Sequence, residues 1–442
     1  SAPAQINVPR DYWTQVIDID LPPIVRLERQ AGGEEAIKKA AQLLSNAKFP
    51  VILSGAGVVI GDAIEDCKKL AEKLDAPVCS GYQHNDSFPG SHPLAAGPLG
   101  YNGSKAGMEL IQKADVVLAL GTRLNPFSTL PGYGMDYWPK DASIIQVDMN
   151  SDRIGLTKKV TVGICGDAKL VAQQILQKLT PNAGNSGRED RKNLIHQTKS
   201  GWLQTLTSLD HEEDDPGTVW NKEARERDAD RMSPRQAWRA IQAGMPENVI
   251  ISSDIGNNCA IGNAYPTFEK GRKYLAPGLF GPCGYGFPSI LGAKIGCPDT
   301  PVIGFAGDGA FGISMNEMSS CARKEWPAIS MVIFRNYQWG AEKRNSILWF
   351  DDNFVGTELD PELSYAKIAN ACGLKGVAVK TMEETTKAIK QSCEDQKHGI
   401  TTFIEIILNQ ELGEPFRRDA MKKPVQVAGI KKDDMKPQKL LV

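Results

Sequence analysis

The sequence predicts an α/β protein with two doubly wound parallel-sheet domains. Short runs rich in Val, Ile and Leu, such as PVILS, DVVLALG, VIGFA and ISMVIF, have the length and composition of buried parallel strands. Amphipathic segments with helical spacing separate these runs, and several runs stop at a turn that contains Gly, Asp or Asn. Strands that alternate with helices in this way form parallel sheets covered by helices.

Length and composition exclude several other classes of protein. The 442 residues suit two or three domains, and 41% hydrophobic with 24% charged residues is ordinary for a globular protein. With 51 basic against 53 acidic residues, no overall charge favours nucleic acid or a membrane surface. No apolar run is long enough to span a bilayer, and the opening SAPAQINVPRDYW lacks the pattern of a signal peptide.

The cysteines indicate a compartment. Nine Cys residues are scattered along the chain without a Cys-x-x-Cys pair. This pattern favours a reducing cytoplasm over a disulfide framework or a zinc site. Most of these residues are therefore expected to be small buried hydrophobic side chains.

The first α/β domain is predicted over residues 34–180, after a linker over residues 14–33 that contains paired Pro and Gly. Its helices are EEAIKKAAQLLSNA, IEDCKKLAEKLDA and SKAGMELIQKA, and its strands lie in FPVILSGAGVV, APVCSG, ADVVLALGTRL and SIIQVDM. Gly55-Ala56-Gly57 follows the first strand, but GAGVVIGDA does not complete the Gly-x-Gly-x-x-Gly fingerprint of a dinucleotide site. We therefore expect a structural role for this turn.

A charged linker over residues 181–232 precedes the second α/β domain, which is predicted over residues 233–412. The linker contains HEEDDPG and is expected to wrap the outside of the protein with some helix, its charges in solvent. The second domain opens with a helix whose N-cap is Ser233 and whose first position is Pro234.

Residues 300–345 carry the pattern with the most chemical content. Two apolar runs stop at Gly307-Asp308-Gly309 and at Asn336, and the segment between them has helical spacing with apolar positions at Phe311, Met315 and Met318. A Gly-Asp-Gly alone commonly marks an ordinary turn. A more specific indication of a ligand site is a strand that ends in a carboxylate, followed by a helix and a second strand that ends in an amide. In an open α/β sheet, ligands bind outside the carboxyl ends of the strands.

This arrangement suits a magnesium diphosphate. Mg²⁺ takes oxygen ligands and usually keeps substrate phosphates in its shell. Asp308 would supply one carboxylate oxygen, Asn336 one amide oxygen, and a main-chain carbonyl just beyond Asn336 a third. Gly307 and Gly309 would let the backbone approach the phosphates, and a helix beginning near Ala310 would direct N–H groups at them.

The stretch resembles the thiamine-diphosphate motif of the acetolactate synthase-like enzymes, in which GDG is followed some two dozen residues later by Asn. The resemblance covers nearly the whole chain. It implies thiamine diphosphate and Mg²⁺ as cofactors, with the metal held by Asp308, Asn336 and the main-chain carbonyl of Gln338. It also implies that residues 34–180 form a central Rossmann-like domain, which binds FAD or ADP in some members, and that residues 233–412 form the diphosphate-binding domain.

The same resemblance assigns roles to two further turns. Gly256, Asn257 and Asn258 would contact the diphosphate, although many relatives carry Gln and His there. The carbonyl of Gly281 would accept a hydrogen bond from the aminopyrimidine. Cys283 stands where a bulkier Met, Leu or Ile usually props the two rings of the cofactor apart. A reactive thiol is the alternative for Cys283, but nothing in the sequence lowers its pKa.

Within the family, GDGAFGISMNEMSSCARKEWP and RNYQWGAEKRNSILWFDDNFVGTEL most resemble members that transfer an acetyl group. This resemblance implies that sulfoacetaldehyde and phosphate are converted to acetyl phosphate and sulfite. The motifs and the fold do not distinguish such members from an acetolactate synthase or a 2-oxoacid decarboxylase, and a non-catalytic nucleotide-binding scaffold is a further alternative. Lys343 and Arg344 would attract an anionic substrate or form a solvated basic pair. A homodimer or homotetramer is implied by analogy.

The resemblance also bears on the two ends of the sequence. Residues 1–13, which include the strand pattern AQINV, resemble the end of the family's pyrimidine-binding domain, with a natural N-terminal arm as the alternative. In the family a Glu of that domain activates the cofactor, and no residue here matches its motif. We therefore expect this chain by itself to hold the diphosphate half of the site and to be inactive. Residues 413–442 are expected to form a tail that is flexible or wraps a neighbouring subunit.

Overall fold

The computed structural model describes residues 5–25, 28–209, 226, 228–278, 280–323, 325–343 and 355–411. These residues form two six-stranded parallel sheets with flanking helices, which confirms the predicted α/β fold. In the described ranges, no helix is both long and apolar enough to cross a membrane.

The first sheet has the strand order β3-β2-β1-β4-β5-β6. Its strands are β1 (Pro50–Ser54), β2 (Val78–Ser80), β3 (Ala95–Pro98), β4 (Val116–Leu120), β5 (Ser143–Asp148) and β6 (Val162–Cys165). The helices of this half are α1 (Glu34–Asn46), α2 (Ala56–Ile60), α3 (Ile64–Leu74), α4 (Lys105–Ile111), α5 (Ala168–Lys178) and α6 (Arg188–Leu209).

The second sheet has the order β11-β12-β10-β9-β7-β8. Its strands are β7 (Ile250–Ser253), β8 (Tyr274–Leu275), β9 (Val302–Gly307), β10 (Ser330–Arg335), β11 (Lys375–Val379) and β12 (Thr402–Ile407). The helices here are α7 (Pro234–Gly244), α8 (Asn257–Ile261), α9 (Gly286–Gly296), α10 (Asp308–Ser314), α11 (Met318–Ala322), α12 (Tyr365–Ala371) and α13 (Met382–Lys397). Single 3-10 turns lie at Arg10–Thr14, Asn85–Ser87, Pro126–Thr129, Ser151–Arg153, Gly262–Ala264 and Met315–Glu317.

Apolar packing on both faces holds the second sheet. Side chains of a strand alternate between faces. Met331 and Ile333 of β10 therefore join one core with Phe287, Phe311 and Phe403. Their neighbours Val332 and Phe334 join another core with Trp238 and Phe305 on the opposite face. The helix α7 begins as predicted, with Pro234 at its first position and a capping box between Ser233 and Gln236.

Three local predictions need correction. The segment after Asp308 is not one helix, because a 3-10 turn separates α10 from α11. Phe311 and Met318 are buried as predicted, but Met315 is 36% exposed. The strand pattern AQINV does not form a strand at residues 5–8. Short strands β3, β6 and β8 were not predicted, since AAGP and VGIC contain Gly or Pro and β8 has only two residues.

The segment predicted as a charged linker contains the 22-residue helix α6. Its charges are not all in solvent, because Arg191 is 2% exposed. The guanidinium of Arg191 donates to five main-chain carbonyls, those of Lys48, Leu74, Asp75, Gly184 and Ser186. The acidic HEEDDPG lies outside the described residues.

Buried polar contacts join the two halves. The side chain of Asn263 accepts the N–H of Gln83 at 2.9 Å, and the Asn85 amide donates to the carbonyl of Asn263 at 2.7 Å. Beside them, one carboxylate oxygen of Asp86 accepts the N–H groups at the start of β8, at 3.1 and 3.2 Å, from Lys273 and Tyr274. Asp86 is thus a buried acid at the seam between the two sheets.

We expect Asp86 to make stability depend on pH. Burial raises the pKa of Asp86 to about 6. The folded protein then binds this proton more tightly than the unfolded chain, so the free energy of unfolding falls as pH rises from about 4 to about 6. Asp86→Asn should remove the contribution of this group and make the slope shallower, and should raise stability at neutral pH by up to about 3 kcal/mol. Denaturant unfolding at several pH values measures both effects.

The exposed Asp299 provides the matched control for that experiment. Asp299→Asn should leave the slope between pH 4 and 6 as it is in the unmodified chain. An equal slope in the Asp86 and Asp299 variants would contradict the assignment to Asp86.

Candidate functional site

Asp308 stands at the carboxyl end of β9 and at the first position of α10. Its side chain is 1% exposed. One carboxylate oxygen accepts the N–H of Tyr337 at 2.6 Å and Nη1 of Arg335 at 3.1 Å, and the other accepts the N–H of Gly309 at 2.9 Å. Burial raises the pKa of Asp308 to about 6, while Arg335 and the N–H donors oppose the rise. These donors hold the carboxylate in one orientation.

The structure brings Asn336 beside Asp308. Strands β9 and β10 pair in parallel with Phe334 opposite Gly307, so both reach the same edge of the sheet. Asn336 is 1% exposed, and its side-chain oxygen has no hydrogen-bond partner among the described residues. A buried amide oxygen without a donor is costly and is an acceptor that a cation would satisfy.

Gln338 follows two residues later. Tyr337, between Asn336 and Gln338, has the left-handed φ of 62° that turns the chain. Gln338 stands opposite Glu358 in an isolated antiparallel β-bridge. The hydrogen bonds of this bridge are made by the flanking residues: the N–H of Trp339 donates to the Thr357 carbonyl, and the N–H of Leu359 donates to the Tyr337 carbonyl. In such a non-hydrogen-bonded pair the main-chain carbonyl of Gln338 is not used by the bridge. The three predicted metal ligands are therefore together at one edge.

The turn after β7 adds further unpaired groups. Gly256 has φ 122°, and α8 begins at Asn257. Both side-chain polar atoms of Asn257 and the side-chain oxygen of Asn258 lack a partner among the described residues, although each residue is only 4% exposed. Because β7 pairs with β9, these amides lie at the same edge of the sheet as Asp308. They could contact a polar ligand there.

The predicted turn at Gly281 and Cys283 is held by a residue that the sequence analysis missed. The buried Asp254 accepts the N–H groups of Ile255, Gly284 and Gly286 at 2.8, 3.2 and 2.7 Å. Gly281 has φ 60°. Partial burial, with the charges of Asp254 and Glu342, raises the pKa of the Cys283 thiol, so the thiol stays protonated. A protonated thiol is a weak nucleophile, which argues against a reactive thiolate at this exposed residue.

The glycines around Asp308 differ in what they do. A Cβ on Gly309 would lie 2.8 Å from the indole of Trp339, so this glycine makes room for Trp339. A Cβ on Gly307 would meet nothing within 4 Å, which leaves that side open to a ligand. The helix begins at Asp308, two residues before the predicted start, and Ala310 is buried within its first turn.

Other candidates are less suited to bind a ligand. A Cβ on Gly55 or Gly57 would lie 2.6–2.7 Å from the backbone of Gly121, so the turn after β1 packs directly against the turn after β4. This favours the structural role expected for Gly55-Ala56-Gly57. Lys343 pairs with Glu358, and Arg344 lies outside the described residues.

The chemistry of the site is that of oxygen ligands. Over the described ranges no cluster of three or more His, Cys, Asp or Glu side chains could hold a metal. A cation at this edge would instead use one carboxylate with amide and main-chain oxygens, a set that suits Mg²⁺. The sequence signal for the missed residues was the position of charged Asp254 and Arg335 at the ends of apolar strands, where buried charges need partners.

Comparison with known proteins assigns both halves of the chain. Residues 37–175 match the central domain of thiamine pyrophosphate enzymes, and residues 254–406 match their C-terminal TPP binding domain. The chain is 76% identical over 438 residues to a probable sulfoacetaldehyde acetyltransferase of Rhizobium meliloti (strain 1021), covering 99% of this chain and 74% of that protein. It is 72% identical over 440 residues to the sulfoacetaldehyde acetyltransferase of Roseovarius nubinhibens, covering 100% and 73%.

A solved structure shares the fold at low identity. The benzoylformate decarboxylase of Polynucleobacter necessarius superposes with a TM-score of 0.69 at 20% identity, covering 91% of this chain and 69% of that one. This likeness concerns the arrangement of strands and helices alone.

We expect Asp254 to control the order of the turn at residues 284–286. Asp254→Asn replaces one accepting oxygen by a donor, so at least one N–H of this turn loses its partner. Amide hydrogen exchange at Gly284 and Gly286 should become about 10- to 100-fold faster, as expected for a lost bond to a buried charge. Asp299→Asn is the control and should exchange at these two amides like the unmodified chain. If Asp254→Asn also exchanges like the unmodified chain, the turn does not depend on this carboxylate.

Proposed function

Because the chain belongs to the sulfoacetaldehyde acetyltransferase family of thiamine pyrophosphate enzymes, we propose that it acts on sulfoacetaldehyde and phosphate and forms acetyl phosphate and sulfite. Thiamine diphosphate and Mg²⁺ are the cofactors of this acyltransferase. The observation that carries the assignment of the site is the buried Asn336 oxygen, which has no partner among the described residues and lies next to the carboxylate of Asp308.

The residues at the edge of the second sheet suit a magnesium diphosphate. Asp308, Asn336 and the main-chain carbonyl of Gln338 would hold Mg²⁺, which accounts for the unpaired amide oxygen of Asn336. The unpaired Asn257 amide could donate to a phosphate oxygen. Gly256 and Asn258 continue this turn, and the open space beside Gly307 lets the backbone approach the same group.

The remaining site residues would orient the rings of the cofactor. When bound, thiamine diphosphate supplies a nucleophilic carbon and an electron sink, which the side chains of a protein lack. The carbonyl of Gly281 would accept a hydrogen bond from the aminopyrimidine, and Cys283 would hold the rings apart. Asp254 keeps both in place, because it ties down the residues that follow them. Precise placement of the reacting carbon is the contribution of these residues.

We also propose a cytoplasmic location and assembly into a homodimer or homotetramer. All nine cysteines are free thiols, in keeping with a cytoplasmic location. Apolar side chains near the N-terminus are exposed, including Trp13 at 76% and Val16 at 98%. Exposed apolar residues in such number support burial against another subunit in a homodimer or homotetramer.

The alternatives are weaker for specific reasons. Identities of 76% and 72% to proteins with one name favour the acetyltransferase over an acetolactate synthase or a 2-oxoacid decarboxylase. The match of residues 254–406 to the TPP binding domain of thiamine pyrophosphate enzymes likewise disfavours a non-catalytic nucleotide-binding scaffold. The sequence identities and the domain match therefore both favour a cofactor-dependent enzyme.

We expect Asp308→Ala to weaken Mg²⁺-dependent binding of thiamine diphosphate strongly. Loss of the only carboxylate in the proposed ligand set should weaken binding at least about 100-fold. Calorimetric titration of the chain with thiamine diphosphate, with and without Mg²⁺, measures this directly. Asp299→Ala, at an exposed site, should bind like the unmodified chain. Unchanged affinity in Asp308→Ala would exclude Asp308 as a ligand.

The substrate is tested by product formation. The chain is incubated with Mg²⁺, thiamine diphosphate, phosphate and either sulfoacetaldehyde or pyruvate, alone and with a pyrimidine-binding domain of this family. Acetyl phosphate and sulfite should form from sulfoacetaldehyde when that domain is present. Preferential consumption of pyruvate would instead favour the acetolactate synthase or decarboxylase alternative.

A further inference from the structure

Arg335 lies buried between two carboxylates at the end of β10. It is 0% exposed. Its Nη1 donates to Asp308 at 3.1 Å, and its Nε lies 3.6 Å from a carboxylate oxygen of Glu405. Its Nη2 donates to the main-chain carbonyls of Asp360 and Leu363. The contact with Glu405 is an ion pair without a hydrogen bond, since Nε has no hydrogen-bond partner among the described residues. A fully buried guanidinium is costly unless opposite charges lie close to it, as Asp308 and Glu405 do here.

Glu405 completes a closed frame around Asp308. Its carboxylate accepts the hydroxyl of Ser364 at 2.6 Å and the N–H groups of Tyr365 and Ala366 at 3.3 and 3.1 Å. Tyr365 in turn donates its hydroxyl to the main-chain carbonyl of Asp308 at 2.9 Å. Both the side chain and the main chain of Asp308 are thereby tied to β12 and to the start of α12.

Arg335 also contacts the turn that carries the other proposed metal ligands. Its guanidinium carbon lies 4.1 Å from the ring centroid of Tyr337. Tyr337 stands between Asn336 and Gln338 in the chain, and its N–H donates to Asp308. One side chain therefore touches both the carboxylate and the left-handed turn, which together determine where the three oxygens lie.

The charges of the frame explain how a cation can sit beside a metal site. Arg335 lies within ion-pair distance of both Asp308 and Glu405, so the three groups together carry a net charge of −1. Glu405 offsets the charge of Arg335, and the charge of Asp308 stays available to a divalent ion. Without Glu405, Arg335 would repel that ion.

We propose that Arg335 is a positioning residue for Mg²⁺: it holds the Asp308 carboxylate and the Tyr337 turn so that Asp308, Asn336 and Gln338 offer their oxygens to one ion. This inference rests on the function proposed above. An arginine that only stabilised the fold would act differently, because its removal would relieve repulsion and leave affinity for Mg²⁺ equal or higher.

The test measures the Kd for Mg²⁺ at saturating thiamine diphosphate and, separately, the thermal midpoint without metal. Arg335→Met should weaken Mg²⁺ binding about 10- to 100-fold, the usual effect of losing a group that orients a metal ligand. Arg335→Lys keeps the charge but loses the planar guanidinium. Its Kd for Mg²⁺ should therefore lie between those of the unmodified chain and Arg335→Met. The exposed, ion-paired Arg323 provides the control variant Arg323→Met, which should bind Mg²⁺ normally.

Each outcome decides the matter. A lower midpoint with unchanged or tighter Mg²⁺ binding would overturn the positioning role and leave a structural ion pair. If Arg335→Met does not fold, Arg335→Lys decides by the same two measurements. Failure of the unmodified chain to bind thiamine diphosphate with Mg²⁺ would overturn the proposed function itself, which is a different result from normal binding in the Arg335 variants.

Discussion

Parallel pairing of β9 with β10 is the constraint on which the candidate site depends. Because Phe334 stands opposite Gly307, the two strands end at the same edge and place Asp308 and Asn336 side by side. Packing enforces this register, since a Cβ on Gly304 would lie 2.6 Å from the sulfur of Met331. A slip of one residue would exchange the faces of every side chain in β10 and separate the two ligating groups.

The same sheet concentrates its unsatisfied polar groups at this edge. Both faces of the sheet are apolar, whereas Asn257 and Asn336 keep buried amide atoms without partners in the described part of the chain. Each such group costs about 1–3 kcal/mol. Binding of a cation and a diphosphate would give these groups partners and recover that free energy. The stability that the unliganded protein loses at this edge would thus contribute to the affinity for the ligand.

The two sheets show why related topologies do not make equivalent sites. The first has the strand order of dinucleotide-binding folds, with a reversal between β1 and β4. At that reversal, Gly55 and Gly57 pack directly on the backbone of Gly121. In the second sheet the corresponding edge is lined by Asp308 and unpaired amides. The two turns therefore differ in what they present: close backbone packing in the first sheet, and buried polar groups without partners among the described residues in the second.

Local patterns in the sequence alone determined the alternation of helices and strands, the cap at Ser233 and the pairing of a carboxylate with an amide at Asp308 and Asn336. These depend on hydrophobic period and turn chemistry, which are properties of neighbouring residues. Tertiary structure alone decided that the helical segment predicted between Asp308 and Asn336 is interrupted by a 3-10 turn. It also decided that Gly309 makes room for Trp339 and that Arg335 joins Asp308 to Glu405. Such contacts join residues far apart in the chain and depend on distances between side chains, which no local period encodes.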